Sequence, residues 1–177
     1  MPITPTLHVN STTDIGNPIT LRDFEQGSRQ RIDAWFNKAN NSLYGTSWSA
    51  SGVFSKSVPS GTTTAVTFDN VQYQTQNCFS SSAVTVDRPG LYQNNVTVTF
   101  SSSFSAGDVI YLRIKSGLLI MATIPHYCFA GEQPTVTMSI AVLMDEIAPY
   151  QITIDQSTGS THTISSQSWS GFFVRPI

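Results

Sequence analysis

Hydrophobic and polar positions along this chain follow two different periods, and the change falls near residue 45. From about residue 46 onward, short apolar runs alternate with turn-forming residues, and residues 96–100 (Val-Thr-Val-Thr-Phe) alternate between apolar and hydroxyl side chains. A period of two is typical of β-strands that bury one face. Residues 46–177 are therefore predicted to form an all-β domain, a sandwich of eight or more strands.

Turn signals divide this region into candidate strands. A hairpin is predicted where the apolar runs 109–114 and 118–124 flank Lys115-Ser116-Gly117. Another turn is predicted at residues 157–160 (Ser-Thr-Gly-Ser). The other candidate strands lie near Val66, Phe68 and Val71 and over residues 83–86, 96–100, 136–144, 150–154, 161–164 and 172–174. The last two are predicted as separate strands.

The first 45 residues have a different pattern. Residues 1–18 are rich in proline, threonine and asparagine without a period, which predicts an extended arm. Between about 19 and 44, apolar residues recur at spacings of three, four and seven opposite a charged side, as in an amphipathic helix. The apolar stripe of this helix includes Leu21, Phe24, Ile32, Trp35 and Phe36. We therefore divide the chain into an arm with one short helix (1–45) and a β-sandwich (46–177).

Composition changes this picture mainly by excluding partners. Only 11% of the 177 residues are charged, and the net charge is −2 at pH 7. Neither nucleic acid nor an anionic membrane is therefore an expected partner. Serine (24 residues) and threonine (21 residues) supply much of the polar surface instead, which suits rigid β-proteins that pack into assemblies. No apolar run reaches the roughly 18 to 20 residues of a membrane span, and no secretory signal is visible.

Candidate catalytic and metal-binding residues are few. Cys78 and Cys128 can form one disulfide or remain free thiols, and the missing export signal favours free thiols. His126 and Cys128 share one face of a predicted strand, which allows contact between them, but none of the three histidines (His8, His126 and His162) has ligand spacing around it. Neither a Cys-His nucleophile nor a metal site is predicted from this pattern. The chain is expected to be no enzyme and to need no cofactor.

Two short segments about eighty residues apart carry a resemblance to a known family. Residues 87–92 (Asp-Arg-Pro-Gly-Leu-Tyr) place a Pro-Gly turn before a Leu-Tyr strand, and residues 168–176 form an aromatic-small-Gly-aromatic strand that ends at proline. With Phe68, Phe79 and the segment 111–117, they resemble in order the pattern of C1q/TNF-like jelly rolls over residues 53–176. The chain departs from the pattern at residues 144–149, where a Gly-Asp loop is expected, and it has no collagenous stalk.

The resemblance implies a jelly-roll β-sandwich that assembles as a homotrimer and binds other surfaces without catalysis. Aromatic side chains near both ends of such a domain are candidates for a threefold axis, where burial removes an apolar patch from water. The alternative is that these side chains fill the core between the two sheets. The candidates are Phe68, Tyr92, Phe172 and Phe173.

These features favour a surface protein of a bacteriophage virion, made in the host cytoplasm. The first hypothesis is a trimeric capsid decoration or cement protein that docks on the major capsid protein or another virion protein. The arm and the helix stripe would form the docking surface, unless the stripe packs on its own sandwich. The alternative is the receptor-binding head of a tail or head fibre, where exposed aromatics such as Trp48 or Tyr150 bind a host surface glycan or protein. A C1q- or cytokine-like extracellular ligand would need a secretion route, and catalysis is the least favoured role.

Overall fold

A computed structural model describes residues 46–177, with the exception of Phe54, Ser81 and Ile147, together with the single residue Arg31. Residues 46–177 belong to one compact unit, Asn41–Ile177. The predicted arm and the helix stripe (Leu21, Phe24, Ile32, Trp35 and Phe36) lie outside the described residues and remain predictions. Within the described part, no helix has the length and apolar character that crossing a membrane requires.

The described chain contains twelve β-strands, and their pairings are antiparallel. In chain order they are β1 (Ser47–Gly52), β2 (Lys56–Val58), β3 (Thr64–Ala65), β4 (Asn70–Gln74), β5 (Phe79–Ser80), β6 (Ala83–Val84), β7 (Gly90–Phe100), β8 (Val109–Ser116), β9 (Leu119–Tyr127), β10 (Thr135–Met144), β11 (Tyr150–Gln156) and β12 (His162–Pro176).

The strands form two sheets that face each other as a sandwich. Sheet 1 has the strand order β10-β7-β12-β1-β4, with β2 beside β12. Sheet 2 has the order β5-β6-β11-β8-β9, with β3 beside β11. Buried side chains from both sheets form one continuous hydrophobic core. The structure therefore confirms the all-β sandwich that the alternating pattern predicts.

Strand β7 shows how the sequence pattern creates these layers. Along its eleven residues every second position is buried, and only the residues between them reach the surface. The buried side chains include Val96, Val98 and Phe100, while Thr97 and Thr99 point outward. Because β7 lies between β10 and β12 in sheet 1, its alternation sets the inner and outer sides of that sheet.

The C-terminal strand corrects one sequence-based prediction. The candidate strands 161–164 and 172–174 are parts of the single fifteen-residue strand β12. Irregularities in its pairing with β7 fall between Ile164 and Ser166 and between Phe173 and Arg175. The connecting part is rich in serine, which hides the strand signal, but Gln167 and Trp169 within it are buried. Polar residues on the outward side therefore masked a continuous strand.

The predicted hairpin is confirmed. Strands β8 and β9 pair directly, with Ser116 opposite Leu119, and Gly117 adopts a left-handed backbone with φ of 57°. The candidate strand near Val66, Phe68 and Val71 is placed differently, because Val66 and Phe68 are buried between β3 and β4 and only Val71 lies within a strand, β4.

Candidate functional site

The two segments that suggest a jelly roll are direct neighbours in the structure. Tyr92 of β7 pairs with Phe173 of β12, and Gly90 pairs with Pro176. The rings of Tyr92 and Phe173 meet edge-on with centroids 5.3 Å apart. The Tyr92 hydroxyl donates a hydrogen bond to the Arg88 carbonyl oxygen at 3.0 Å, and the Arg88 guanidinium lies 4.8 Å from the centre of the Phe173 ring. Residues distant in sequence thus form one packed unit at this end of sheet 1.

Glycine is required in both segments because aromatic rings approach the backbone. A Cβ atom on Gly90 would lie 2.5 Å from the Phe173 ring, and a Cβ atom on Gly171 would lie 2.2 Å from the Trp48 ring. Both distances are far below the contact that a real Cβ atom tolerates. Neither glycine has a positive φ, so the two glycines are explained by ring packing.

The four side chains predicted for a threefold axis have different environments. Phe68 and Tyr92 are 1% and 0% exposed and contact the core between the sheets, as the alternative interpretation expects. Burial also raises the pKa of Tyr92 to about 12. Phe173 is partly buried against the same core, whereas Phe172 is 51% exposed. Of the four, Phe172 presents the most side-chain surface to solvent.

Phe172 lies on the outward side of sheet 1, which we call the hydroxyl face. Paired residues of antiparallel strands share one side of a sheet, so the register defines its members. Most of them are serine or threonine, and Arg175 is the one charged member. They are Ser47, Ser49 and Ser51 of β1, Leu91, Gln93, Asn95, Thr97 and Thr99 of β7, Thr135, Thr137, Ser139, Ala141 and Leu143 of β10, and Ser166, Ser168, Ser170, Phe172 and Arg175 of β12.

Many polar groups of the hydroxyl face hydrogen-bond to one another. Thr99 and Thr135 share a bond between their Oγ1 atoms at 3.1 Å. Ser139 Oγ donates to Asn95 Oδ1 at 2.7 Å, and Gln93 Nε2 donates to Ser139 Oγ at 3.0 Å. Satisfied polar groups lose little when a partner displaces water from them. The outward side of sheet 2 differs, since it carries an ion pair between Arg113 and Asp155.

One end of the hydroxyl face is apolar. Leu143 of β10 lies opposite Leu91 of β7, and Phe172 of β12 lies opposite Gln93, one row further along the sheet. Leu143 is 52% exposed and Phe172 is 51% exposed. We call Leu91, Ala141, Leu143 and Phe172 the apolar corner. Exposed apolar clusters rimmed by polar residues mark interaction sites.

A second apolar surface follows β9, the last strand of sheet 2. Its free edge has no strand partner among the described residues. Such an edge invites contact with another chain unless it is covered. The large exposed side chains along it, which we call the edge strip, are Leu118 (99%), Leu119 (63%), Ile120 (48%), Tyr127 (66%) and Phe129 (77%).

The aromatic side chains expected to bind a glycan are not available. Trp48 is 2% exposed and Tyr150 is 1% exposed, so this part of the prediction is wrong. Trp48 packs edge-on against Trp169, with ring centroids 5.6 Å apart, and so forms part of the core. The serines that flank Trp48 in sequence make it look exposed, but they lie on the opposite side of β1.

The structure also gathers a cluster that the sequence analysis misses. Ligand atoms of His126, Cys128 and Glu132 lie within 4.8 Å of one another. In the sequence, this cluster is indicated by the spacing His-x-Cys followed four residues later by Glu, and it is recognised only when carboxylates are counted among the metal ligands. Both cysteines are buried free thiols. Burial raises the pKa of Cys128 to about 11, which argues against a nucleophilic thiolate beside His126.

A small cleft lies beside the other cysteine. Its volume is about 240 Å³, and its lining residues are Gln76, Asn77, Cys78, Thr85, Val86 and Asp87. This volume is below the roughly 300 to 1,000 Å³ of ordinary small-molecule pockets. The two larger surfaces, the hydroxyl face and the edge strip, are therefore the stronger candidates for function.

Comparison with solved structures supports the jelly-roll fold, whereas comparison with known sequences finds no match. No protein-family model matches the chain, and no curated protein matches its sequence. The globular domain of zebrafish complement 1qA protein is 13% identical with a TM-score of 0.51, over 74% of this chain and 98% of that one. PRD1 vertex protein P5 is 13% identical with a TM-score of 0.56, over 73% of each chain. Murine APRIL at pH 8.0 is 9% identical with a TM-score of 0.55, over 73% and 99%. The predicted C1q/TNF-like jelly-roll fold is confirmed.

Proposed function

We propose that this chain is a non-enzymatic structural protein of a phage virion, a homotrimeric decoration protein that docks on the capsid and stabilises it. The observation that carries the proposal is the presence of two unlike apolar surfaces, the apolar corner and the edge strip, on one small sandwich. The fold supports it as well, because PRD1 vertex protein P5 is a structural neighbour and because the C1q/TNF-like resemblance implies a trimer.

Two unlike surfaces favour a closed ring over a twofold dimer. A twofold dimer joins a surface to its own copy, whereas a cyclic trimer joins one surface to a different surface of the next subunit. In the proposed ring, the hydroxyl face of one subunit receives the edge strip of its neighbour. Apart from Arg175 beside Leu91, the face carries no charge, which suits this contact because interface cores are depleted of charge. The contact would also cover the edge of β9.

Attachment to the capsid is assigned to the N-terminal part of the chain. Residues 1–18 and the stripe Leu21, Phe24, Ile32, Trp35 and Phe36 would contact the major capsid protein or another virion protein. Three copies of a weak contact on one trimer raise the overall affinity by avidity. Stabilisation of the particle is then mechanical and needs neither cofactor nor catalysis.

A second candidate is the receptor-binding head of a tail or head fibre. Tyr127 and Phe129 favour it, since they are 66% and 77% exposed at one end of β9. Exposed aromatic rings of this kind can stack on the sugars of a host surface glycan. The location of the chain on the particle distinguishes the two candidates.

The oligomeric state is tested by sedimentation velocity on the full chain and on two variants. We expect the unmodified chain and Val53→Glu to sediment as trimers and Phe172→Glu to sediment as a folded monomer. Val53 is the matched control because it is 75% exposed and lies outside both apolar surfaces. A monomeric unmodified chain, or a trimeric Phe172→Glu variant, would contradict the proposed interface.

The location is tested with gold-labelled antibody on particles produced by the virus whose genome encodes the chain. Label distributed over the head supports a decoration protein. Label restricted to a tail tip or fibre supports the receptor-binding head. Particles without label would contradict both candidates.

A further inference from the structure

Three side chains of different chemistry meet beside the end of β9. The Nε2 or Nδ1 atom of His126, the Sγ atom of Cys128 and a carboxylate oxygen of Glu132 all lie within 4.8 Å of one another. His126 and Cys128 are two residues apart on an extended segment, which places both on one side of the chain. The turn after Cys128 then returns Glu132 to that side. The cluster is therefore a property of one short segment of the fold.

The backbone holds the carboxylate of Glu132 in a fixed orientation. The Phe129 N–H donates to Glu132 Oε2 at 2.8 Å, and the Glu132 N–H donates to the Phe129 carbonyl oxygen at 3.1 Å. Oε1 is thereby left facing His126 Nε2 at 3.0 Å. Carboxylates that bind metal ions are ordinarily held by hydrogen bonds from the surrounding protein, as Glu132 is held by the Phe129 N–H.

The neighbouring backbone fixes the rest of the cluster. The Cys128 N–H donates to the Asp108 carbonyl oxygen at 2.9 Å, and the Phe104 N–H donates to the Glu132 carbonyl oxygen at 2.9 Å. Gly131 has φ of 76°, a left-handed conformation that closes the turn between Cys128 and Glu132. The backbone that carries the three side chains is therefore held in place by the surrounding fold.

The chemistry of the three ligands selects a particular kind of ion. Imidazole nitrogen, thiolate sulfur and carboxylate oxygen are the three ligand types of Zn²⁺, which binds them at about 2.0 to 2.3 Å in tetrahedral geometry. Nitrogen and oxygen ligands on such an ion stand about 3.4 Å apart, close to the 3.0 Å between His126 Nε2 and Glu132 Oε1. Calcium and magnesium prefer oxygen ligands alone, so they do not suit the set.

We propose that His126, Cys128 and Glu132 form a Zn²⁺ site, with water as the fourth ligand. Cys128 loses its thiol proton to solvent when it binds the ion, and His126 binds as the neutral imidazole. The ion would fasten the end of β9 to the turn that carries Phe129. The proposed Zn²⁺ site does not depend on the proposed virion function. It would be present whether the protein lies on the capsid or on a fibre.

The test uses Co²⁺, a spectroscopic substitute for Zn²⁺, added to the full-length chain after treatment with a chelator. Tetrahedral cobalt bound to thiolate gives a charge-transfer band in the near ultraviolet, so the band reports Cys128 itself. We expect a band that saturates at one ion per chain and disappears when Zn²⁺ is added. Cys128→Ser should lose the band. Cys78→Ser is the matched control and should keep it, because Cys78 is also a buried free thiol but lies outside the cluster.

Two further variants keep the proposal falsifiable if Cys128→Ser does not fold. His126→Ala and Glu132→Gln should each weaken Zn²⁺ binding at least about tenfold in competition with a chromophoric chelator. Far-ultraviolet circular dichroism checks that their fold is retained. The proposal is overturned if the unmodified chain gives no saturable band, if the band persists in Cys128→Ser, or if both further variants bind Zn²⁺ as tightly as the unmodified chain. In those cases the cluster is only a hydrogen-bonded His-Glu pair beside a buried thiol.

Discussion

The contact between Gly171 and Trp48 shows how one absent side chain determines local packing. The Trp48 ring occupies the space that a Cβ atom on Gly171 would need, at 2.2 Å. Trp48 in turn packs against Trp169 and Tyr92, with centroid distances of 5.6 and 6.2 Å. The ring contacts of the core therefore depend on a bare backbone at this position of β12.

Gly171→Ala should destabilise the fold by about 1 to 3 kcal/mol, because an added carbon in a filled core forces side chains or backbone to shift. Urea unfolding followed by tryptophan fluorescence measures the effect. Ser170→Ala is the control and should change the stability by about 0.5 kcal/mol or less, since its side chain lies on the outer face. Equal stabilities of the two variants would show that the Trp48 ring can move aside.

His162 is a second residue whose environment has a measurable consequence. It is 6% exposed and stacks on Phe104, with ring centroids 3.7 Å apart. Its two ring nitrogens lie 2.9 Å from Thr158 Oγ1 and 3.2 Å from Ser102 Oγ. Burial lowers the pKa of His162 below its usual value of 6.5. The neutral ring is therefore the form that the fold accommodates.

The stability of the protein should fall as the pH falls from about 7 to 5. In this range the unfolded chain binds a proton at His162 more readily than the folded chain, so protonation favours unfolding. One such group contributes a slope of at most about 1.4 kcal/mol per pH unit. His162→Gln should show a smaller decrease in urea midpoint over the same range. A decrease as large as that of the unmodified chain would exclude His162 as its source.

Individual strands differ in how well the sequence predicts them. Strand β7 is predictable because its buried positions are mostly apolar and its outward positions are polar. Strand β12 is not, because the buried Gln167 breaks its apolar alternation and serines occupy its outward side. The short strand β2 carries no apolar pattern and depends on pairing with β12, a contact over a hundred residues away in sequence. Tertiary pairing of this kind leaves no local signal.

The N-terminal arm is predicted to act in attachment and to be dispensable for folding of the sandwich. Deletion of residues 1–18 should leave the melting temperature unchanged within the error of differential scanning calorimetry and abolish binding to capsids that lack this protein. A variant with the same eighteen residues in scrambled order is the control for composition and should also fail to bind. Retention of binding by the truncated chain would remove the arm from the docking surface.

At the scale of the whole molecule, the fold is easier to predict from the sequence than the exposed surfaces are. The segments 87–92 and 168–176 carry the resemblance to a jelly roll, and their glycines and aromatics are needed where β12 meets β7 and β1. The hydroxyl face and the edge strip arise only when the register places residues of several strands on one side. The cluster of His126, Cys128 and Glu132 is local in sequence, but it is recognisable only when carboxylates are counted among the ligands.

The proposed ring makes a prediction that a twofold dimer does not. Phe172→Glu disables the hydroxyl face and keeps the edge strip, whereas Ile120→Glu disables the edge strip and keeps the face, and the two introduced carboxylates repel each other. Each variant alone should be a folded monomer, since both side chains are about half exposed and their loss leaves the core intact. An equimolar mixture should form a heterodimer, because the intact edge of the first variant can bind the intact face of the second.

Multi-angle light scattering after size exclusion distinguishes the outcomes. A heterodimer that does not grow to a trimer is expected, because each mixed pair presents one disabled face and one disabled edge at its open ends. If the face instead paired with its own copy, Ile120→Glu alone would remain dimeric and mixing would change nothing. Growth of the mixture to trimers would show that one of the substitutions does not lie in the interface. The heterodimer would establish that the subunits of this jelly roll join face to edge.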